Sequence, residues 1–307
     1  MITAVSLRKA AVSDINGKVD YSGGNAIYSH GGMVNFPKDQ NSSVLNNFGG
    51  SISLPVTHSL GFQVDGLYSK IAQEDFYGGA AHFFWRDPDL GLLGLTGGYL
   101  ARDGDDSVNT YQAGAEGQYY YKQFTFGFFA GIGSIDYRIS APFIPTDLTR
   151  FVGRVSVDYY PLENLRVGAS VTTSYHDYMA SLEIEYQTPI NGIAITGEGD
   201  IGHPDYNQWL IGLRYYFGGN KTLRDRQRQD DPPGLMSQIL QSLGLYGSKF
   251  YDRQNNWLNS ADGIYVGPKY YGGGSLGYYS GPAPSGGGGN GGGDGGGGGG
   301  GVVITFQ

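Results

Sequence analysis

Residues 208–217, Gln-Trp-Leu-Ile-Gly-Leu-Arg-Tyr-Tyr-Phe, alternate between two kinds of side chain. Successive side chains of a β-strand point to opposite faces, so one face here carries only Trp, Ile, Leu, Tyr and Phe. The other face carries Gln, Leu, Gly, Arg and Tyr. An apolar face that ends in aromatic residues suits either the core of a soluble β-sandwich or the lipid-facing wall of a transmembrane β-barrel.

Composition favours strands over helices. Aromatic residues make up 14% of the chain, 25 of its residues are Tyr and 54 are Gly. Tyr packs well in strands and at aromatic rims, whereas Gly disfavours helices. The net charge of −8, with only one short basic run, excludes nucleic acid as a partner, and the lack of Cys excludes disulfides and thiolate metal sites.

The alternation recurs from residue 16 to residue 217 in about twelve segments of roughly ten residues, as in barrel strands. It is clearest over residues 111–121, where apolar and polar positions take strict turns. No apolar run is long enough for a transmembrane helix. The mean hydropathy of −0.30 is compatible with a barrel, because half of each barrel strand faces a polar lumen.

The connections between these segments also alternate. Short turns are expected at residues 55–58, 87–89, 122–123, 161–164 and 188–191, and more varied, often longer loops at 29–41, 103–107, 139–146 and 202–205. Outer-membrane barrels have short turns at one end and longer loops at the other. The sequence therefore predicts an all-β fold: an antiparallel transmembrane barrel of about 12 strands that closes between residues 208–217 and a first strand near residues 17–28.

Three parts of the chain are expected. Residues 1–15 form an N-terminal segment without an apolar stretch long enough for a signal peptide, residues 16–218 form the barrel, and residues 219–307 form a charged, Tyr- and Gly-rich tail. The tail is expected to be largely disordered and periplasmic, because its glycine run at 286–301 cannot offset the entropy cost of ordering. Within it, residues 235–245 have the pattern of a short amphipathic helix.

Five stretches resemble a family of uncharacterised porin-like outer-membrane barrels of Alphaproteobacteria. They are residues 62–70, 82–91, 160–165, 212–222 and 230–233, and the likeness extends over residues 16–233. The resemblance implies a location in the bacterial outer membrane, contact with its lipid, and assembly by the barrel-insertion machinery. It also implies an insertion signal in a last strand that ends in alternating aromatics, which Gly212, Tyr215 and Phe217 match, although Leu210 departs from it and about ninety residues follow.

Charged residues at inward-facing strand positions are expected to line the lumen, since charge is tolerated there by water or by an opposite charge. Either they line a water-filled pore or they fill a narrow lumen as an ion-pair network. The candidates are Asp65, Arg86, Glu116, Lys122, Arg154, Asp158, Arg166, Glu183, Glu185, Glu198, Asp200 and Arg214.

Four of these carboxylates, Glu183, Glu185, Glu198 and Asp200, are expected on adjacent strands, where they could hold a divalent cation. Pairing with Arg166 or Arg214 is the favoured interpretation, so no metal and no cofactor is predicted. The five histidines, His30, His58, His82, His176 and His203, form no triad-like spacing with a nucleophile, and no enzymatic activity is predicted.

The expected function is a porin-like barrel for passive diffusion of small solutes, or a structural barrel of the cell envelope. The alternatives are an outer-membrane enzyme acting on lipid, a surface interaction or adhesion barrel, and a soluble β-sandwich. Nothing in the sequence sets the solute or the oligomeric state.

Overall fold

A computed structural model of the 307-residue chain describes most of residues 12–242 and two short strands beyond them. The described residues are 12, 14–28, 42–71, 74–102, 107–138, 147–175, 177–202, 206–230, 234–242, 264–268 and 276–280. The glycine run at 286–301 and residues 302–307 lie outside the described part.

Twelve antiparallel strands form one closed barrel in which each strand pairs with its neighbours in the chain. They are β1 (Asn16–Tyr28), β2 (Ser42–Pro55), β3 (Leu60–Ile71), β4 (Glu74–Asp87), β5 (Gly91–Arg102), β6 (Ser107–Tyr121), β7 (Phe124–Arg138), β8 (Asp147–Leu162), β9 (Leu165–Ser174), β10 (Asp177–Gln187), β11 (Ile193–Gly202) and β12 (Tyr206–Phe217). The predicted fold class and strand number are confirmed.

The first and last strands close the barrel. β1 pairs with β12 over their full lengths, from Gly17 opposite Phe217 to Tyr28 opposite Tyr206. A closed sheet has no unpaired edge, and this is the condition that hydrocarbon places on a spanning β-structure. The predicted closing strand is therefore confirmed.

Short connections lie at one end of the barrel. The turn end holds residues 56–59, 88–90, 122–123, 163–164 and 188–192, close to the predicted turns. The opposite end, the loop end, holds the connections at 29–41, 72–73, 103–106, 139–146, 175–176 and 203–205. Because Gly17 and Phe217 pair at the turn end, the chain enters and leaves the barrel there.

The outer surface is apolar across its middle and aromatic at both ends. Leu95, Leu182 and Ile211 are 63–67% exposed near mid-strand. Exposed aromatics near the turn end are Trp85, Tyr119, Tyr121, Phe124, Tyr159, Tyr186, Tyr215 and Phe217, and those near the loop end are Tyr68, Tyr77, Tyr111, Phe151, Tyr178 and Trp209. An apolar belt between two aromatic girdles is the surface of a transmembrane barrel and not that of a soluble sandwich.

This surface yields a first prediction. Leu95→Arg places a charge at the centre of the apolar belt, and we expect it to lower the free energy of unfolding by about 2–4 kcal/mol. Leu162→Arg is the matched control, because Leu162 is also about as exposed (61%) but lies at the turn end, where the expected cost is about 0–1 kcal/mol. Urea unfolding in lipid vesicles measures both, and equal costs would contradict the placement of the belt in lipid.

Part of the expected tail is folded. Helix α1 (Leu223–Gln229) begins at Thr222, whose side chain caps the backbone N–H of Asp225. A second helix, α2, spans residues 235–242, where the sequence predicted an amphipathic helix. Strands β13 (Ile264–Pro268) and β14 (Leu276–Ser280) pair as a two-stranded sheet. The described helices are too short and too polar to cross a membrane. Within the expected tail, residues 222–230 and 234–242 are thus ordered around two helices.

Candidate functional site

The lumen wall contains the charged positions that the alternation predicted, with one exception. Asp65, Arg86, Glu116, Glu185 and Asp200 are buried, and Arg154, Asp158, Arg166, Glu183, Glu198 and Arg214 border the internal cavities. The placement of Lys122 in the lumen was wrong. It is exposed in the two-residue turn between β6 and β7, has a positive φ of 52°, and lies over the ring of Tyr121.

Arginines and carboxylates form a continuous ion-pair network along β8, β9 and β10. The Arg166 guanidinium donates to Asp158 Oδ1 at 2.8 Å and to Glu183 Oε2 at 2.7 Å. Arg154 donates to Glu183 Oε1 at 2.7 Å. Each carboxylate of this group therefore has a charged partner, as a buried charge requires.

The network continues to β12 and β1 through Arg214. This guanidinium donates to Glu185 Oε2 at 2.7 Å and to Asp20. The Tyr216 hydroxyl donates to Glu185 Oε1 at 2.6 Å. The expected pairing of Glu183 and Glu185 with Arg166 and Arg214 is thus present.

A second buried cluster joins β3, β4 and β6 around His82. The imidazole Nδ1 lies 2.9 Å from Glu116 Oε1, and Nε2 lies 2.9 Å from Asp65 Oδ2. Asp65 Oδ1 also accepts a hydrogen bond from Gln63 at 2.7 Å. A histidine between two carboxylates is stabilised when both ring nitrogens carry protons.

Helix α2 lies inside the lumen, in a groove made of small residues. We call Gly78 and Ala80 of β4 and Gly98 of β5 the lumenal groove. A Cβ atom on Gly98 would come within 2.8 Å of Ile239 Cδ1, and one on Gly78 within 2.8 Å of Met236 Cε. The helix fits the wall because these positions lack larger side chains.

The polar side of α2 contacts the lumen wall at three positions along the helix. At its start the backbone N–H of Leu235 donates to Asp65 Oδ2 at 3.2 Å, which places a carboxylate at the positive helix end. Gln238 donates to Gln112 at 3.2 Å, and Gln241 donates to Glu198 Oε1 at 2.6 Å. The helix therefore bridges separate strands of the wall, namely β3, β6 and β11.

Helix α1 covers the turn end of the lumen. The buried Arg226 guanidinium donates to the backbone carbonyls of Gly218 at 3.0 Å and Gly219 at 2.7 Å. Arg228 donates to the Phe124 carbonyl at 2.7 Å on the far side of the mouth. These contacts hold α1 across the opening and direct the following residues into the barrel.

Two polar cavities remain beside α2, with volumes of 180 and 150 Å³. Both are bordered by Arg166, Glu183, Glu198, Arg214 and Gln241. Each is large enough for several water molecules, and their walls supply hydrogen-bond partners for them. The lumen is therefore occupied by an ion-pair network and a helix, with room for water between them.

Glu198 and Asp200 differ from the other lumenal carboxylates. Neither pairs with an arginine in the described part of the chain, contrary to the expectation for them, and their contacts are to the amides of Gln208 and Gln241. Among the described residues, no group of three or more His, Asp or Glu side chains is arranged to hold a metal ion.

Two of the five histidines, His58 and His82, lie in the described part of the chain. Both ring nitrogens of His82 are held by carboxylates, and His58 lies in the turn after β2. Nucleophilic catalysis needs a hydroxyl or thiol within hydrogen-bond reach of the base. The positions of His30, His176 and His203 lie outside the described residues.

Sequence reasoning missed the lumenal groove and the cluster around His82. The signal for the groove was present: Gly78, Ala80 and Gly98 share the inward face of neighbouring strands, where polar residues are the rule. An inward apolar patch in a barrel implies an apolar occupant. The amphipathic pattern of residues 235–245 was the signal for that occupant, a helix with one apolar side.

No protein-family model matches the chain, and no curated protein matches it. Solved structures of barrels do. The KdgM porin is 12% identical over 66% of this chain and 99% of its own, with a TM-score of 0.42. An outer-membrane channel of Pseudomonas putida F1 is 12% identical over 70% and 99%, with a TM-score of 0.43. The phospholipase OMPLA of Salmonella typhi is 8% identical over 71% and 94%, with a TM-score of 0.39. Similarities of this size say nothing about what the chain binds or transports.

Proposed function

We propose that this protein is a porin-like channel of a bacterial outer membrane that its own C-terminal segment holds closed. The observation that carries the proposal is α2 in the lumenal groove, bridging β3 and β11. A barrel of twelve strands is wide enough to enclose more than its own side chains. When α2 leaves, the charged wall lines a water-filled path.

The lumen chemistry favours small polar solutes. Once α2 has left, the wall carries positive arginines and negative carboxylates side by side. It therefore favours neither a strictly anionic nor a strictly cationic solute. Passive diffusion needs no further machinery in the wall. A barrel that stays closed in every condition would instead fit a structural role in the envelope.

The location and assembly belong to the same proposal. The outer belt meets outer-membrane lipid, the loop end faces outward, and the turn end with both chain connections faces the periplasm. Tyr215 and Phe217 lie on the outer face of β12, and their rings meet edge to face at 5.0 Å. Together with Gly212, which is buried on the opposite face of β12, they form the signal by which we propose that the barrel-insertion machinery recognises the strand.

Gly98→Leu tests the closed state. The new side chain would occupy the space of Ile239 and Leu235, and its Cβ would also lie 2.9 Å from Ala80 Cβ of the wall. Overpacking of this kind costs about 1–3 kcal/mol. Because the contacts with α2 exist only in the closed state, we expect the ratio of open to closed channels to rise, by about 5- to 150-fold if the full cost falls on them. Single-channel recordings in planar bilayers measure this ratio.

Gly97→Leu is the matched control. Gly97 is the preceding residue on the same strand but faces outward, where a Cβ atom makes only ordinary contacts at 3.6 Å or more. We expect its open probability to equal that of the unchanged protein. A Gly98→Leu channel that folds but stays as closed as the Gly97→Leu channel would contradict closure by α2.

A further inference from the structure

Glu198 and Asp200 stand two residues apart on β11, on its inward face, and are the unneutralised carboxylates of the network. Across the strand pair, Glu198 lies opposite Glu183, whose charge is balanced by Arg154 and Arg166. No arginine or lysine among the described residues forms an ion pair with Glu198 or Asp200. Like charges at neighbouring strand positions destabilise the sheet unless a counter-charge is present.

The two carboxyls interact with each other, and Asp200 also interacts with the Ser181 hydroxyl. The other groups that reach this pair are amides. Gln208 Nε2 lies 3.5 Å from Glu198 Oε1 and 3.0 Å from Asp200 Oδ2, so one amide touches both carboxylates. Gln241 of α2 donates to Glu198 from the other side at 2.6 Å. An amide supplies a hydrogen bond but no positive charge, so the pair still lacks a counter-ion.

Two buried oxygens at this place also lack a partner. Asp200 Oδ1 and Gln241 Oε1 have no hydrogen-bond partner in the described part of the chain, although Asp200 is 2% exposed and Gln241 3% exposed. A buried acceptor without a donor is costly, whereas an acceptor beside a cation is stabilised. Gln241 contacts Glu198 through its amide nitrogen, and the unpartnered oxygen belongs to the same amide group.

We propose that Glu198, Asp200 and Gln241 form a binding site for a hard divalent cation of the calcium type. All the donors are oxygens, two of them carboxylates and one a neutral amide, which is the ligand set that calcium takes. The amide group of Gln241 turns its oxygen inward by rotation about its last bond, with no change in the helix. Both cavities border Glu198, so water completes the coordination.

The position of Gln241 gives the site a consequence. It lies on α2, whereas Glu198 and Asp200 lie on the wall, so the cation joins the helix to the wall. If the proposed closure by α2 holds, calcium then favours the closed channel, because a ligand shifts an equilibrium toward the state that binds it better. This consequence rests on the proposed function, whereas the site itself does not.

Isothermal titration of the full chain in detergent micelles with calcium chloride tests the site without any conductance measurement. We expect one calcium ion per chain, and an affinity that falls by at least about tenfold in Glu198→Gln and in Asp200→Asn. Gln241→Leu removes the neutral ligand and weakens binding less. Asp89→Asn, which removes a carboxylate from an exposed turn, is the control and keeps the affinity of the unchanged protein.

A full chain that takes up no calcium at millimolar concentration and pH 8 would overturn the site and would mean that the two carboxyls share a proton instead. Equal affinity in Glu198→Gln and the unchanged protein would overturn it as well. If both variants fail to fold, the site is tested instead by the midpoint of thermal unfolding of the unchanged protein, measured with each cation. Calcium must raise it more than magnesium at the same concentration, since magnesium accepts such a flexible oxygen site poorly.

Discussion

Ending the chain at Asp231 opens the channel. This truncation removes α2 and keeps the twelve strands and α1, so the lumen loses the helix that bridges β3 and β11. A conformer that is populated at about 0.1–10% becomes the main one when its competitor is deleted, so we expect the open fraction to rise about 10- to 1000-fold. Planar-bilayer recordings of the full and truncated chains measure it.

Two further truncations separate the parts of the segment. Ending the chain at Ser280 removes the glycine run and keeps both helices, and we expect this chain to stay closed. Ending it at Asn220 removes α1 as well, and we expect the largest conductance, because the contacts of Arg226 and Arg228 across the mouth are lost. Opening by the Ser280 truncation to the same degree as by the Asp231 truncation would show that α2 is not the closure.

Arg166→Met destabilises the barrel by about 3 kcal/mol. Arg166 neutralises Asp158 and Glu183 at 2.8 and 2.7 Å and lies 3.6 Å from Glu185. Removing one partner of a buried ion pair leaves a charge without compensation, which costs about 3–5 kcal/mol. The lower end of this range applies because the adjacent cavity admits water. Urea unfolding in lipid vesicles gives the free energy.

An exposed ion pair supplies the comparison for this change. Arg224 pairs with Glu163 at 2.7 Å, but the Glu163 side chain is 60% exposed. Such pairs contribute about 0–1 kcal/mol, so Arg224→Met should cost no more than that. Adding Asp158→Asn to Arg166→Met should recover part of the loss, because Asp158 loses its ion-pair partner in Arg166→Met, whereas Glu183 keeps Arg154. If Arg166→Met costs no more than Arg224→Met, the lumenal network is not a source of stability.

The barrel itself was predictable because its information is local. The alternation of apolar and polar residues indicates which face of each strand points inward. Each turn-end connection is short, so the residues next to it are enough to predict it. The closing of β12 on β1 followed from the strand count and from the aromatic end at Tyr215 and Phe217. The error at Lys122 has the same origin: alternation was extended one residue past the end of β6 into the turn.

The closure of the lumen was not predictable in the same way. Gly98 and Ile239 are far apart in the sequence, and their fit depends on shapes that exist only in the folded chain. The composition of residues 219–307 is dominated by its glycine run, which hides the short helical pattern before it. The pairing of Glu183 with Arg166 could be anticipated from adjacent strands, whereas the Gln241 contact of Glu198 could not, because that partner comes from α2.

The contacts of α2 with β3 and β11 imply an order for the folding steps of the barrel. The pairing of β12 with β1 brings β3, which carries Asp65, near β11, which carries Glu198, so the helix can make both contacts only after that step. The segment after Phe217 leaves the sheet at the turn end, so we expect it to lie outside the lumen until β12 has paired with β1. If α2 closes the channel as proposed, we expect a barrel whose sheet has just closed to be open, and to become sealed only when α2 enters the lumen.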